Sequence, residues 1–259
     1  MRIDSAKSSQ VKQVAALQKK PGCRREQGVF VVEGIKMVRE APRGRLLSVY
    51  ASDSFLEQGG AEKLGGIPFT EMSDHAFKAM ADTQTPQGVL AVVKAMKWKK
   101  EDFSGKGRAL LLFLENIQDP GNLGTIFRAG EGAGVTGILM SRETVDVYNP
   151  KVVRATMGSI YRVPFAVCDN LQETLDKCHK VGIASYAAHL EGKKNYEEAD
   201  YGKPSAFLIG NEAAGLSEKF SSAADHLIKI PMKGQVESLN AGVAASVLLY
   251  EAARQRRHG

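Results

Sequence analysis

From Ser9 to Lys20, Val11, Val14, Ala15 and Leu17 recur at helical spacing on one face, and Pro21-Gly22 closes the run. Short apolar runs bounded by glycine or polar residues predict strands at 28–32, 46–51, 67–70 and 88–93. Helical patterns at 34–41 and 73–81 fall between them, so the first third reads as a small α/β module. Lys94 to Arg108 then breaks the pattern with a polar, basic, glycine-containing stretch. Residues 1–96 are therefore expected to form one domain, 97–108 a linker and 109–259 a second domain. Trp98, the only tryptophan, sits at this boundary, where it packs at a domain edge or stacks on a base.

Beyond Arg108 the alternation is cleaner. Strands are predicted at 109–114, 137–140, 163–167, 183–187, 206–209 and 227–230. Helices are predicted at 122–132, 150–157, 171–180, 217–224 and 239–256. The strands are continuous apolar runs rather than alternating ones, as a parallel sheet covered on both faces requires. The expected class is α/β throughout, with a mostly parallel sheet in the second domain.

Composition narrows the picture. Of 259 residues 43% are apolar and 25% charged, an ordinary globular balance that excludes wholesale disorder. Three cysteines (Cys23, Cys168, Cys178) without a C-x-x-C pair disfavour a disulfide framework or a structural zinc site. The opening Met1-Arg-Ile-Asp-Ser-Ala-Lys has no apolar core of a leader, and the longest apolar-rich stretch, 241–253, is too short to span a bilayer. A cytoplasmic protein that engages no membrane is expected.

Charge is distributed unevenly. Residues 1–108 hold 19 Lys and Arg against 12 Asp and Glu, whereas 109–259 hold 16 against 17, so the whole basic excess lies in the first part. Lys12, Lys19, Lys20, Arg24 and Arg25 cluster around the first helix and its following turn. A polyanion bound through phosphate contacts is one reading of that cluster, and a solvated helix face is the other.

Known catalytic motifs mostly fail. The segment from Asp119 to Gly134 follows a strand and opens a helix, but Val135 stands where a dinucleotide fingerprint started at Gly130 needs glycine. No phosphate-binding G-x-x-x-x-G-K-[ST], H-E-x-x-H, G-x-S-x-G or metal-ligand cluster occurs, so no metal is expected. What remains is three polar and glycine-containing segments, each near the carboxyl end of an apolar strand: Glu115-Asn-Ile-Gln-Asp-Pro-Gly-Asn-Leu-Gly-Thr-Ile-Phe-Arg-Ala, Leu208-Ile-Gly-Asn-Glu-Ala-Ala-Gly-Leu-Ser and Ile230-Pro-Met-Lys-Gly-Gln-Val-Glu-Ser-Leu-Asn-Ala-Gly-Val-Ala-Ala-Ser. Loops at that edge of an open α/β sheet are where ligands bind.

In this order the three segments resemble motifs 1, 2 and 3 of the SpoU/TrmH family of RNA 2′-O-ribose methyltransferases, within the SPOUT superfamily. The resemblance covers 109–259, and residues 1–95 look like the L30e-like RNA-binding module often placed before it. It implies a C-terminal trefoil knot, a homodimer with its active site at the subunit interface, and S-adenosyl-L-methionine as methyl donor. The positions matching the cofactor site are Gly210, Ile230 and Leu239. Arg128 matches the family's catalytic arginine. A guanidinium stays protonated in proteins, so a role in binding the adjacent phosphate and polarising the 2′-hydroxyl suits it better than that of a base. Asn122 would orient Arg128 or the ribose, and Glu212 would accept from a backbone N–H or from the facing subunit's arginine. Ser238 and Asn240 would line the active site, although helix capping alone would account for Ser238.

The reading is an S-adenosylmethionine-dependent RNA 2′-O-methyltransferase acting on ribosomal RNA (23S-type). A tRNA 2′-O-methyltransferase and a non-catalytic RNA-binding protein are the alternatives, and methyl-donor binding separates the last from the others.

Overall fold

The computed structural model describes residues 2–258. Met1 and Gly259, the outer ends of the two expected domains, lie outside the described residues. Two compact units are present, one formed by residues up to Lys97 together with Asp146–Tyr161, the other by Trp98–Val145 and Arg162 onward.

Along the first unit run β1 (Arg2–Ile3), α1 (Ser9–Lys19), α2 (Pro21–Gln27), β2 (Val29–Glu33), α3 (Ile35–Glu40) and β3 (Leu46–Ser52). Then follow α4 (Asp53–Glu57), α5 (Gly60–Leu64), β4 (Thr70–Met72), α6 (Asp74–Met80) and β5 (Val89–Lys94). The five strands form one mixed sheet in the order β1-β4-β3-β5-β2. Ser8 caps α1 by accepting from the Val11 N–H, and Val11, Val14 and Leu17 are buried against Val29, Met72, Phe77 and Leu90. Pro21 does end α1, but the chain stays helical. Proline's fixed φ and missing N–H suit the first position of α2, which Gly28 then closes at φ 63°.

The second unit opens with β6 (Leu110–Leu114), α7 (Pro120–Ala133) and β7 (Gly137–Ser141); α8 (Pro150–Thr156) intervenes and belongs to the first unit. It resumes with β8 (Phe165–Cys168), α9 (Leu171–His179), β9 (Ala184–Ala188) and β10 (Lys194–Asn195). It ends with β11 (Ser205–Ile209), α10 (Glu218–Ser221), β12 (His226–Lys229) and α11 (Ala241–His258). Seven strands pair in the order β10-β12-β9-β11-β6-β7-β8, every pair parallel. Every residue of β6, β7 and β11 is buried, which is why their sequences read as unbroken apolar runs. From β6 the chain steps to β7 and β8 on one side, whereas β11, β9, β12 and β10 lie on the other. Strand order therefore reverses beside β6, and the crevice at such a reversal is where α/β sheets bind ligands.

The division of the chain differs from the expected domains in two places. The presumed linker is packed: Thr136 Oγ1 donates to the Phe103 carbonyl at 3.1 Å, and Trp98 meets Phe165 edge-on at 6.4 Å, both within the second unit. The edge-packing alternative for Trp98 is the one realised.

The segment Asp146–Tyr161, expected in the catalytic domain, is instead fastened to the first unit. Tyr148 stacks on Phe30 with ring centroids 4.5 Å apart and donates no proton readily, since burial pushes its phenol up to about 12. Its hydroxyl accepts from the Met96 N–H at 2.7 Å, Tyr161 donates to the Met37 carbonyl at 3.0 Å, and Arg154 pairs with Asp82 at 2.8 Å.

Candidate active site

The first polar segment links β6 to α7. Asp119 caps α7 by accepting from the Asn122 N–H at 2.8 Å, with Pro120 pre-set at the first helical position. Leu123, Ile126, Phe127 and Gly130 are buried, leaving Gly121, Thr125, Arg128 and Gly132 as an exposed stripe. Arg128 has no ion-pair or hydrogen-bond partner among the described residues. Asn122 is buried, and its side chain donates to Glu212 Oε1 at 2.8 Å, so its partner within the chain is Glu212 rather than Arg128.

The second segment follows β11. Asn211 and Gly215 exchange backbone hydrogen bonds of 3.0 and 2.9 Å, pinching the loop into a tight hairpin. Gly210 runs so close to it that a Cβ would lie 2.1 Å from the Gly215 carbonyl carbon, so no side chain fits there. Glu212 reaches back to the first segment, accepting from the Gln118 N–H at 3.2 Å and the Asp119 N–H at 3.1 Å. Burial opposes its charge. The Asn122 amide and the backbone N–H groups outweigh that, holding the carboxyl below the ordinary glutamate range.

The third segment joins β12 to α11 and closes a cleft of about 910 Å³. Ile209, Leu216, Ile228, Ile230 and Leu239 supply an apolar wall, while Asn195, Asn211, Glu212 and Ser238 supply polar groups. The cleft thus gathers Gly210, Glu212, Ile230, Ser238 and Leu239, with Asn122 attached through Glu212. Arg128 is not among its lining residues. The capping expected of Ser238 is carried out by Asn240, whose Oδ1 accepts from the Gly242 and Val243 N–H groups at 2.9 and 3.2 Å. Ser238 sits two residues too early to cap α11 and lines the cleft instead.

In the first unit Lys12, Lys19, Lys20 and Arg25 are exposed. Arg24 is not, and its guanidinium is engaged inside the unit rather than open to the phosphate contact expected of it. Its side chain is 3% exposed, bound to Asp146 at 2.6 Å and to the Leu17 and Gln18 carbonyls at 2.7 and 3.0 Å. Those carbonyls end α1 and have no helical partner, so the guanidinium satisfies them.

Two residues escaped the sequence reading. Glu115, at the end of β6, accepts from both the N–H and the hydroxyl of Ser217 at 2.7 Å. A Ser just before a short helix is a readable cap signal, but nothing in the sequence says that its hydroxyl would also be held by a carboxylate 102 residues away.

Comparison with known proteins matches residues 109–250 to the SpoU rRNA Methylase family and residues 8–91 to an MRM3-like substrate binding domain. The chain is 32% identical over 251 residues to the 23S rRNA (guanosine(2553)-2′-O)-methyltransferase RlmP of Bacillus subtilis, covering 96% of this chain and 98% of that one. It is 33% identical over 197 residues to the 23S rRNA (guanosine-2′-O-)-methyltransferase RlmB of Xanthomonas axonopodis pv. citri, covering 74% and 79%. Among solved structures, the AdoMet-bound rRNA methyltransferase from Sinorhizobium meliloti superposes with a TM-score of 0.86 at 32% identity, over 100% of this chain and 98% of that one. The SpoU methyltransferase AviRb from Streptomyces viridochromogenes, in complex with AdoMet, gives 0.87 at 28% identity over 98% and 100%.

Proposed function

The chain belongs to the SpoU rRNA Methylase family, and we propose that it works as a homodimer, transferring a methyl group from S-adenosylmethionine to a ribose 2′-hydroxyl of 23S-type ribosomal RNA. One observation carries the reading. The second and third motif loops wall a single cleft at the carboxyl end of β11 that holds Gly210, Ile230 and Leu239 together, and the first motif loop is bonded to it through Glu212.

The residues present fit the methyl donor. A volume of about 910 Å³ accommodates a nucleoside-sized ligand, and the cleft pairs an apolar wall with a few polar groups. S-Adenosylmethionine would supply an electrophilic methyl group from a sulfonium whose positive charge is lost as the methyl leaves. Ile230 and Leu239 form a wall that does not favour the charged donor over the neutral product, as a carboxylate clamp would.

Arg128 in this reading binds the phosphate next to the reacting ribose and polarises the 2′-hydroxyl; a phosphate oxygen or solvent takes the proton. Glu212 fixes the N-terminus of α7 and so the placement of Arg128. Glu212 and Ser238 are polar groups of the cleft wall, with Asn122 bonded to Glu212; Asn240 lies outside the lining, and with its Oδ1 engaged in capping α11 its amide N–H₂ is the group it would offer to the ribose.

The dimer is supported by Arg128, exposed, without a partner among the described residues and outside the cleft of its own chain, and by Val243 and Tyr250, exposed at 45% and 50% on α11. The trefoil knot is part of this reading, with Ala241, Gly242, Ala244 and Ala245 keeping the start of α11 thin enough for close backbone packing. Lys12, Lys19, Lys20 and Arg25 contribute phosphate contacts. No metal takes part, and three free thiols suit a reducing cytoplasm.

Mapping 2′-O-methylation across ribosomal RNA in cells with and without this gene tests the activity. Loss of one ribose methyl group in 23S-type RNA is the expected result. An unchanged map, together with no S-adenosylmethionine binding by calorimetry, overturns the reading. Sedimentation showing only a 28.0 kDa species at micromolar concentration overturns the dimer.

A further inference from the structure

We propose that Glu115 is a positioning residue for the cofactor loop. The inference rests on the reading that the cleft binds S-adenosylmethionine. Residues 210–216 form a continuous stretch of the cleft wall, whereas neither Glu115 nor Ser217 lines it. The loop's own shape is fixed internally by the Asn211–Gly215 backbone pair and by the contact of Gly210 with Gly215. What remains free is where this rigid hairpin sits against β6.

Two carboxylates set that position in opposite directions. At the start of the loop Glu212 reaches to the first segment and takes the N–H groups of Gln118 and Asp119, and Asn211 donates to the Asn116 carbonyl at 2.8 Å. At its end Glu115 reaches back from the first segment and takes the Ser217 N–H and hydroxyl, both at 2.7 Å. Ser217 Oγ in turn accepts from the Phe220 N–H at 3.2 Å, so the tether continues into α10. Hydrogen bonds to an ionised acceptor are the stronger kind, and two of them converge on one residue. Without Glu115 the hairpin keeps its shape and its polar ties at the first end, while its second end is held by the non-directional packing of Leu216 and Phe220 alone. Backbone groups that hold the methyl donor are then displaced, while the groups that act on RNA, on α7 and in the first unit, stay in place.

The test uses the full-length protein. Glu115→Ala is expected to raise the Kd and KM for S-adenosylmethionine about tenfold or more, the scale of losing one charge-assisted hydrogen bond. kcat at saturating donor is expected to stay within about threefold, the signature of lost uniform binding. Glu115→Gln can keep its amide oxygen on the Ser217 N–H and donate its N–H₂ to the Ser217 hydroxyl, so it loses only the charge and is expected to fall between the wild type and Glu115→Ala. Ser217→Thr keeps both donors and is expected to bind as the wild type does. Thermal melting shows that each variant is folded; if Glu115→Ala is not, Glu115→Gln and Ser217→Ala carry the measurement. Unchanged Kd and KM in folded Glu115 variants overturn the inference, as does a fall in kcat with Kd unchanged. Failure of the wild type to bind the donor overturns the functional reading itself.

Discussion

Replacing Arg24 separates a structural cation from an RNA-binding one. Its guanidinium donates from Nε and Nη2 to Asp146 and from Nη1 to the carbonyls that end α1, and its side chain is 3% exposed against 20% for Asp146. Arg24→Ala strands a partly buried carboxylate and two helix-end carbonyls. Removing one partner of a buried pair costs about 3–5 kcal/mol, and the residual exposure of Asp146 puts this pair near about 3 kcal/mol. A loss of that size lowers the melting temperature of the first unit by roughly 10 °C. Arg24→Lys keeps a charge but cannot reach both acceptor groups, so its loss is smaller. The double variant Arg24→Met with Asp146→Leu is expected to cost less than the two single changes summed, because it leaves no orphaned charge. RNA affinity of Arg24→Lys, measured well below the transition, is expected to equal that of the wild type. A melting shift under 2 °C on the order of experimental error, combined with weakened RNA binding, would refute the assignment.

Arg128→Lys and Arg128→Ala are both expected to retain S-adenosylmethionine binding while slowing single-turnover methyl transfer by roughly 10²-fold or more, since neither keeps the planar fork. Near wild-type rates in both would remove Arg128 from the chemistry. Charge reversal of Lys19 and Lys20 is expected to weaken RNA binding and flatten its dependence on salt, as read by filter binding at several ionic strengths; an unchanged slope argues for a solvated face. Glu212 is held below the ordinary glutamate range, so the stability it contributes is present above its unfolded pKa and is lost as pH falls through its depressed folded value. Acid titration of Glu212→Gln against the wild type is expected to show the two curves converging at low pH, and parallel curves throughout would count against that cap.

Periodicity read most of the frame correctly because buried parallel strands leave unbroken apolar runs, as in Leu110–Leu114 and Ser205–Ile209. It placed the short strand at 67–70 too early: Ile67 is buried, yet β4 begins only at Thr70. It missed α4 and α5, five residues each and too brief for a 3.6-residue repeat to register. That Gly210, Ile230 and Leu239 would share one cleft was legible because their loops each carried several informative residues. Partnerships were not. Arg24 and Arg25 look alike in sequence, yet one is buried in an ion pair and the other exposed. Nothing local distinguishes them, because the acceptor that claims Arg24 lies 122 residues further along. Comparable separations hid the membership of 146–161 in the first unit and the tether between Glu115 and Ser217.

That separation has a consequence for how the protein is made. Translation at about 5–20 residues per second delivers Asp146 roughly 6–24 s after Arg24 has been joined to the chain. Until then the nascent first unit lacks the stacking partner of Phe30 and the counter-ion of Arg24, and its core is incomplete. Meanwhile β6, α7 and β7 have already been synthesised and must wait for β11, the neighbour of β6, which comes later still. The two units therefore mature in an interleaved order rather than one after the other, and a ribosome stalled near residue 97 would carry a half-built fold for chaperones to shelter.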